Sequence, residues 1–333
     1  TPIATGTPFD GGDGGDVALA NGYMYVTEYN GNRVAVFKGI PSSKAKADFF
    51  LGSTGYYGAE VAGNGSYIGQ KVENSLQTNF MITNPQVVTL NGAMAINSDF
   101  DRKIYVWKKI PSTDGAKPDL VWTTQNQNDP NPLLAMDFQP DSSDTGKLDG
   151  TDIYATAGEK TFVVWNGIPT SISSVPILNI KDSIGNVNFD GALRVAVDET
   201  YFYILDGQAK KIYVWKGLPT GKSDSPDFSI SAEVNRIRAD GKYLVGTSMY
   251  SAVHIKVWAV ATLKQDASPI GSIPYVMNLP ADAITSGEAI FVADTSFHRV
   301  LYWSSITSAM NGADPTAFIG TRSEEHTSEL QSR

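Results

Sequence analysis

The apolar positions of this chain fall into one short run that recurs six times. It reads Arg33-Val-Ala-Val-Phe37, Lys103-Ile-Tyr-Val-Trp107, Thr161-Phe-Val-Val-Trp165, Lys211-Ile-Tyr-Val-Trp215, His254-Ile-Lys-Val-Trp258 and Arg299-Val-Leu-Tyr-Trp303. The second and fourth positions are apolar in every copy, and the fifth is Trp five times and Phe once. A period of two is the signature of a strand. The third position ranges from Ala35 to Tyr105 to Lys256, so both faces admit apolar residues, as in a sheet packed on both sides. Most copies are followed by a proline turn: Ile40-Pro41, Ile110-Pro111, Ile168-Pro169, Leu218-Pro219. Proline cannot donate to a ladder, so it ends the strand. A further apolar run follows, as in 48–52, 226–230 and 315–320, and is read as an outer strand. Upstream of each motif lie two more runs, for example 17–26 and 192–205. Asn21-Gly22 and Asp240-Gly241 mark tight hairpins between such runs. Each unit is therefore four strands, inner to outer. The interval from Trp215 to Trp258 to Trp303 suits one blade of a β-propeller, and the wider earlier intervals add loops.

The sixth unit contains Phe291-Val-Ala-Asp-Thr-Ser-Phe-His-Arg-Val300. This run resembles the NHL repeat: an apolar strand, Ala-Asp-Thr, a short turn, His-Arg-Val and a second strand. Tyr29-Asn-Gly-Asn-Arg33 keeps the turn and the Arg but reads as lacking the Asp, and Asp99-Phe-Asp-Arg-Lys103 shifts it. The resemblance covers roughly residues 15–320 and implies an all-β fold, a six-bladed β-propeller of four-stranded antiparallel blades, of the secreted bacterial type. One domain is expected over 1–321. Residues 322–332 resemble a translated sequencing adapter, so 322–333 is expected to be a non-native tail that packs against nothing, from a metagenomic or draft assembly. The chain opens on Thr1, which suggests a processed or trimmed start.

The 333 residues hold 26 Lys and Arg against 35 Asp and Glu, a formal charge of −9. An acidic balance argues against nucleic acid and against anionic lipid as partners. No apolar run approaches the length of a membrane span, so membrane insertion is not expected. Cysteine is absent, which removes disulfides, thiolate metal sites and Cys nucleophiles. Charged residues are sparse while Gly, Ser, Thr, Asn and Tyr are abundant. That surface suits an extracellular, cell-surface or periplasmic setting.

Signals of catalysis are sparse. There is no nucleophile elbow, phosphate-binding loop or dinucleotide fingerprint. Outside the tail only His254 and His298 remain, in different units and at non-equivalent positions. The resemblance brings in lyases with several metal-binding His, and two cannot supply that set. It also brings in lactonase-like propellers holding channel calcium with Glu, Asn and Asp. Glu28, Asn97, Asp198, Asp206 and Asp294 are the candidates here. Asp294 is expected to cap its own turn and pair with Arg299. Asp10, Asp13 and Asp16 resemble a calcium loop only loosely. No cofactor is expected, though a structural calcium remains compatible with the acidic residues. The Trp series repeats too regularly for a carbohydrate platform and is assigned to the core.

The long segment from Gly52 to Asn84 is the most function-like feature, because long loops in compact domains tend to carry binding. Its Tyr56, Tyr57 and Tyr67, with Tyr29, Phe100, Tyr250, Phe297 and His298 from the turns expected on the same face, form the candidate ligand-binding set. The favoured function is a binding or scaffold propeller for a protein, peptide or glycan ligand. The alternatives are a structural subunit of an extracellular assembly and a metal-dependent hydrolase at the channel.

Overall fold

The computed structural model describes residues 14–28, 33–41, 47–52, 85–98, 103–113, 116–123, 140–171 and 173–320. Six four-stranded antiparallel sheets form the blades of a propeller. Blade 1 is β1 (Gly14–Ala20), β2 (Tyr23–Glu28), β3 (Arg33–Lys38) and β4 (Phe49–Gly52). Blade 2 is β5 (Pro85–Leu90), β6 (Ala93–Ser98), β7 (Lys103–Trp107) and β8 (Leu120–Thr123). Blade 3 is β9 (Ser142–Leu148), β10 (Thr151–Gly158), β11 (Thr161–Asn166) and β12 (Leu178–Lys181). A two-stranded hairpin, β13 (Ser183–Ile184) and β14 (Val187–Asn188), precedes blade 4. Blade 4 is β15 (Leu193–Val197), β16 (Tyr201–Asp206), β17 (Lys211–Lys216) and β18 (Phe228–Ser231). Blade 5 is β19 (Arg236–Ala239), β20 (Tyr243–Thr247), β21 (Ile255–Ala259) and β22 (Gly271–Ser272). Blade 6 is β23 (Pro280–Ser286), β24 (Ala289–Asp294), β25 (Arg299–Trp303) and β26 (Ala317–Gly320), with a one-turn helix α1 (Ile306–Met310) between its last two strands.

The inner strands β1, β5, β9, β15, β19 and β23 each touch the next, and β23 touches β1. The ring closes without a shared strand, since each blade takes its four strands consecutively from the chain. Closure is instead apolar: Val17, Met24, Val26, Ala35 and Phe37 of blade 1 pack on Phe291, Ala293, Val300 and Ile319 of blade 6.

The six motif aromatics occupy one register position on the third strand. Phe37, Trp107, Trp165, Trp215, Trp258 and Trp303 pair with Met24, Met94, Tyr154, Phe202, Leu244 and Ile290. All six are buried. Four indoles donate Nε1–H to a carbonyl in the following loop: Trp107 to Ala116, Trp215 to Asp224, Trp258 to Ala267 and Trp303 to Ala313. A second device repeats where the outer strand begins. Asp48, Asp119 and Asp227 each donate a backbone N–H to Val36, Val106 and Val214, and accept from the N–H of Lys38, Lys108 and Lys216. These carboxylates therefore hold the outer strands in place.

The hairpins differ in chemistry. Asn21 and Gly22 both have positive φ, at 51° and 74°, as a type I′ turn requires. Asp240 sits one place earlier than the dipeptide pattern implies. It flanks the turn and accepts from the N–H of Lys242 and Tyr243, leaving Gly241 at φ 84° as the first central residue. Residues 322–333 lie outside the described residues, so the expected tail does too.

Candidate functional site

The connections between second and third strands, and those leading from one blade to the next, emerge at the same end of every sheet. Gly52 pairs with Arg33 and Pro85 with Ser98, so the 53–84 segment leaves and rejoins the propeller at that end. Tyr29, Tyr56, Tyr57, Tyr67 and Phe100 lie outside the described residues, as do Asp10 and Asp13. The other three members of the set lie on neighbouring blades. Tyr250 stands between β20 and β21 with 79% of its surface exposed. Phe297 and His298 are half-buried between β24 and β25. His298 takes a left-handed conformation at φ 49° and donates its N–H to Thr295 O, which ends a 3-10 turn over Thr295–Phe297.

A rigid base supports this corner. Arg299 Nε donates to Asp294 Oδ2 at 2.7 Å, and its Nη2 donates to Val276 O at 2.9 Å. The rings of Phe297 and Tyr275 lie over the guanidinium, 4.8 and 5.7 Å from it. The expected Asp294–Arg299 pair is thus present, and Asp294 Oδ1 also accepts from Asn278 N. Blade 1 carries the same pair in another form. Glu28 faces Arg33 in the register in which Asp294 faces Arg299, and the two make a buried ion pair at 2.6 Å. Blade 1 does lack the Asp, and Glu28 takes its place: one extra methylene lets it reach the Arg33 guanidinium. His254 occupies the register of Arg299, facing Ser248, and its Nδ1 lies 2.8 Å from Ser248 O.

The calcium candidates are engaged within the chain. Asn97 bonds Pro140 O and Ser143 Oγ. Asp198 accepts from Thr200 N, Tyr201 N and the Tyr203 hydroxyl, and Asp206 accepts from Asp190 N and Ala209 N. Among the described residues no group of three or more His, Asp or Glu is arranged to hold a metal ion.

The densest charge lies on the axis. Ladder pairing places Gln86, Ser142, Arg194, Arg236 and Asp282 at one register position of their inner strands. Asp16 holds that position in blade 1, inside a bulge between Gly14 and Val17. Two residues further on, Arg238 reaches across to three other blades. Its Nη2 donates to Asp16, its Nε to Asp282 Oδ1 at 3.3 Å, and its Nη1 to Asp144 Oδ1 at 3.2 Å and Ser143 O at 2.9 Å. The carboxylates also tie blades together: Asp16 Oδ2 accepts from Val87 N, and Asp144 Oδ2 from Val197 N. Beyond this cluster, toward the first hairpins, lies a cavity of about 240 Å³. Arg238, Asp144, Thr145, Thr89 and Thr285 give it a polar lining, with Val17, Val88 and Ile284 on its apolar side.

Burial raises the Asp16 carboxyl to about 8, outweighing the pull of Arg238. Burial also opposes ionisation of Asp282, but there Arg238 and the hydrogen bond with Asp16 win, and its carboxyl falls below the usual range. Burial likewise lifts Asp144 to about 6, and raises Asp141 and Asp294. The sign for stability follows. Asp16 and Asp144 hold protons in the folded chain at pH values where the unfolded chain, near 3.8, has lost them. Stability is fully present below the unfolded value and is lost as pH rises toward 8, by at most about 1.4 kcal/mol per pH unit for each proton. The thermal midpoint is therefore expected to be higher at pH 5 than at pH 8.5. Asp16→Asn, which mimics the protonated acid, should flatten the upper part of that profile. A wild-type midpoint that rises with pH would refute the assignment.

The axial cluster was legible only in part. The equivalent inner-strand position is polar in all six blades (Asp16, Gln86, Ser142, Arg194, Arg236 and Asp282), and aligning the inner strands rather than the third strands exposes it.

Fold and axis together define a propeller whose channel is bridged by a guanidinium. No family model matches the chain, and no curated protein matches it. Solved structures do match. One is described as the WD40 β-propeller domain of Doa1: 15% identity over 90% of this chain and 84% of that one, with a TM-score of 0.50. At that identity the likeness concerns the fold.

Proposed function

We propose that this chain is an extracellular or cell-surface binding scaffold of the NHL-propeller kind, holding a protein, peptide or glycan on the face that bears the second-to-third-strand turns. One observation carries the reading. On blades 5 and 6 that face exposes Tyr250, Val253 and Val276 at 79%, 40% and 75%, beside Phe297 and His298. Exposed apolar and aromatic groups on rigid supports are what recognition surfaces use. The Asp294–Arg299 pair and its Glu28–Arg33 counterpart support the NHL kinship, and the sparsely charged, cysteine-free composition supports the location. The axial carboxylates Asp16, Asp144 and Asp282 are spent on Arg238, which argues against metal-dependent turnover at the channel.

Peptide and glycan arrays probed with the labelled chain test this reading. The expected result is a defined set of ligands whose signal falls about tenfold or more in Tyr250→Ser/Val276→Ser, with an unchanged thermal midpoint. Binding that ignores the double substitution would move the site elsewhere.

A further inference from the structure

We propose that Arg194 and Arg236 form an anion-binding site at the mouth of the central channel, and that it takes the carboxylate of a small organic acid. The two residues hold the same register position on adjacent inner strands, at the end of the sheets where the blade-to-blade connections emerge. Neither guanidinium is filled. Arg236 is 92% buried, the complement of its 8% exposure, yet it makes one hydrogen bond, from Nη1 to Gly15 O at 3.2 Å. Its nearest carboxylate oxygen, Asp16 Oδ1, is 3.7 Å away and already serves Arg238. Arg194 uses only Nη1, toward Asp141 Oδ2 and Leu193 O, both within 2.9 Å. Nε and Nη2 of both residues make no hydrogen bond among the described residues and are not sealed from solvent, so they are open to the acceptors of a ligand.

Charge agrees with the geometry. Burial holds the Arg236 guanidinium below its usual range despite the pull of Asp282 and Asp16, and Arg238 and Arg194 add positive charge around it. A planar carboxylate supplies two acceptor oxygens to planar donors. Asp141 and Asp282 lie close by, so a ligand that carries one charge on each planar carboxylate fits better than a compact phosphate dianion. The Arg194 side chain is the more open of the two, 24% exposed against 9% for Arg236. The two arginines are distinct from the exposed residues Tyr250, Val253 and Val276, so the proposal holds whether or not those bind anything.

The test is calorimetric titration of the whole chain with succinate, with inorganic phosphate, and with sodium chloride at matched ionic strength. Saturable succinate binding is expected, with chloride giving none. Arg194→Ala should weaken it about tenfold or more. Arg194→Lys, which keeps a cation for Asp141 but loses the planar fork, should also bind more weakly. Tyr250→Ser should bind as wild type. Equal heats for succinate and chloride, unchanged affinity in both Arg194 variants, or tighter binding of phosphate than of succinate would each overturn the proposal.

Discussion

Arg238→Ala is expected to destabilise the chain by about 3–5 kcal/mol at pH 8, the range for removing one partner from a buried ion pair. The argument is one of uncompensated charge. Arg238 is the guanidinium on which Asp16, Asp144 and Asp282 converge from three other blades, and all three acids are buried. Without it those carboxylates stay away from water, and among the described residues the cation left within ion-pair distance is Arg236, 3.7 Å from Asp16. They can escape only by binding protons, so each pKa should rise further. Acid should therefore rescue the variant: the midpoint gap to wild type at pH 8 should shrink at pH 5. Thermal unfolding at both pH values measures this. An equal gap at both would show that Arg238 acts through packing of its alkyl stem and not through charge.

Trp215→Ala is expected to cost a similar amount, about 3–5 kcal/mol, by a different route. Trp215 is 2% exposed and belongs to a core shared by blades 3 and 4. Its ring meets that of Phe202 at 6.3 Å, edge to face, and its Nε1 donates to Asp224 O. Truncation would open a cavity at a blade-to-blade seam and leave that carbonyl without its donor. The loss should be insensitive to pH between 5 and 8, unlike that of Arg238→Ala, because no titrating group is left uncompensated. A midpoint shift too small to resolve would mean that the Trp series does not hold the blades together.

Paired at two pH values, the two variants separate the two forces in the ring. Apolar packing between blades acts on the third-strand aromatics, and charge acts across the axis.

Blade number, the strands of each blade and the burial of Phe37 and the five Trp were determined by the sequence itself. These properties are local and repeated. A period-two pattern fixes which side chains share a face, Pro ends the strand that precedes it, and six copies remove the ambiguity of any one. The Asp294–Arg299 pair was legible for the same reason, since both residues flank one short turn. Its blade 1 counterpart was not, because the pattern names Asp while the register asks only for a carboxylate that reaches Arg33. Closure of the ring and the pairing within the axial cluster were decided by the tertiary structure. Arg238 and Asp16 are 222 residues apart, and no spacing rule links them. They meet because six inner strands converge on one axis, where few side chains fit and every buried charge must find its partner in another blade. The turns bearing Tyr250, Phe297 and His298 share a face for a similar reason: antiparallel strands of even count return each connection to the same end, and the ring sets blades 5 and 6 side by side.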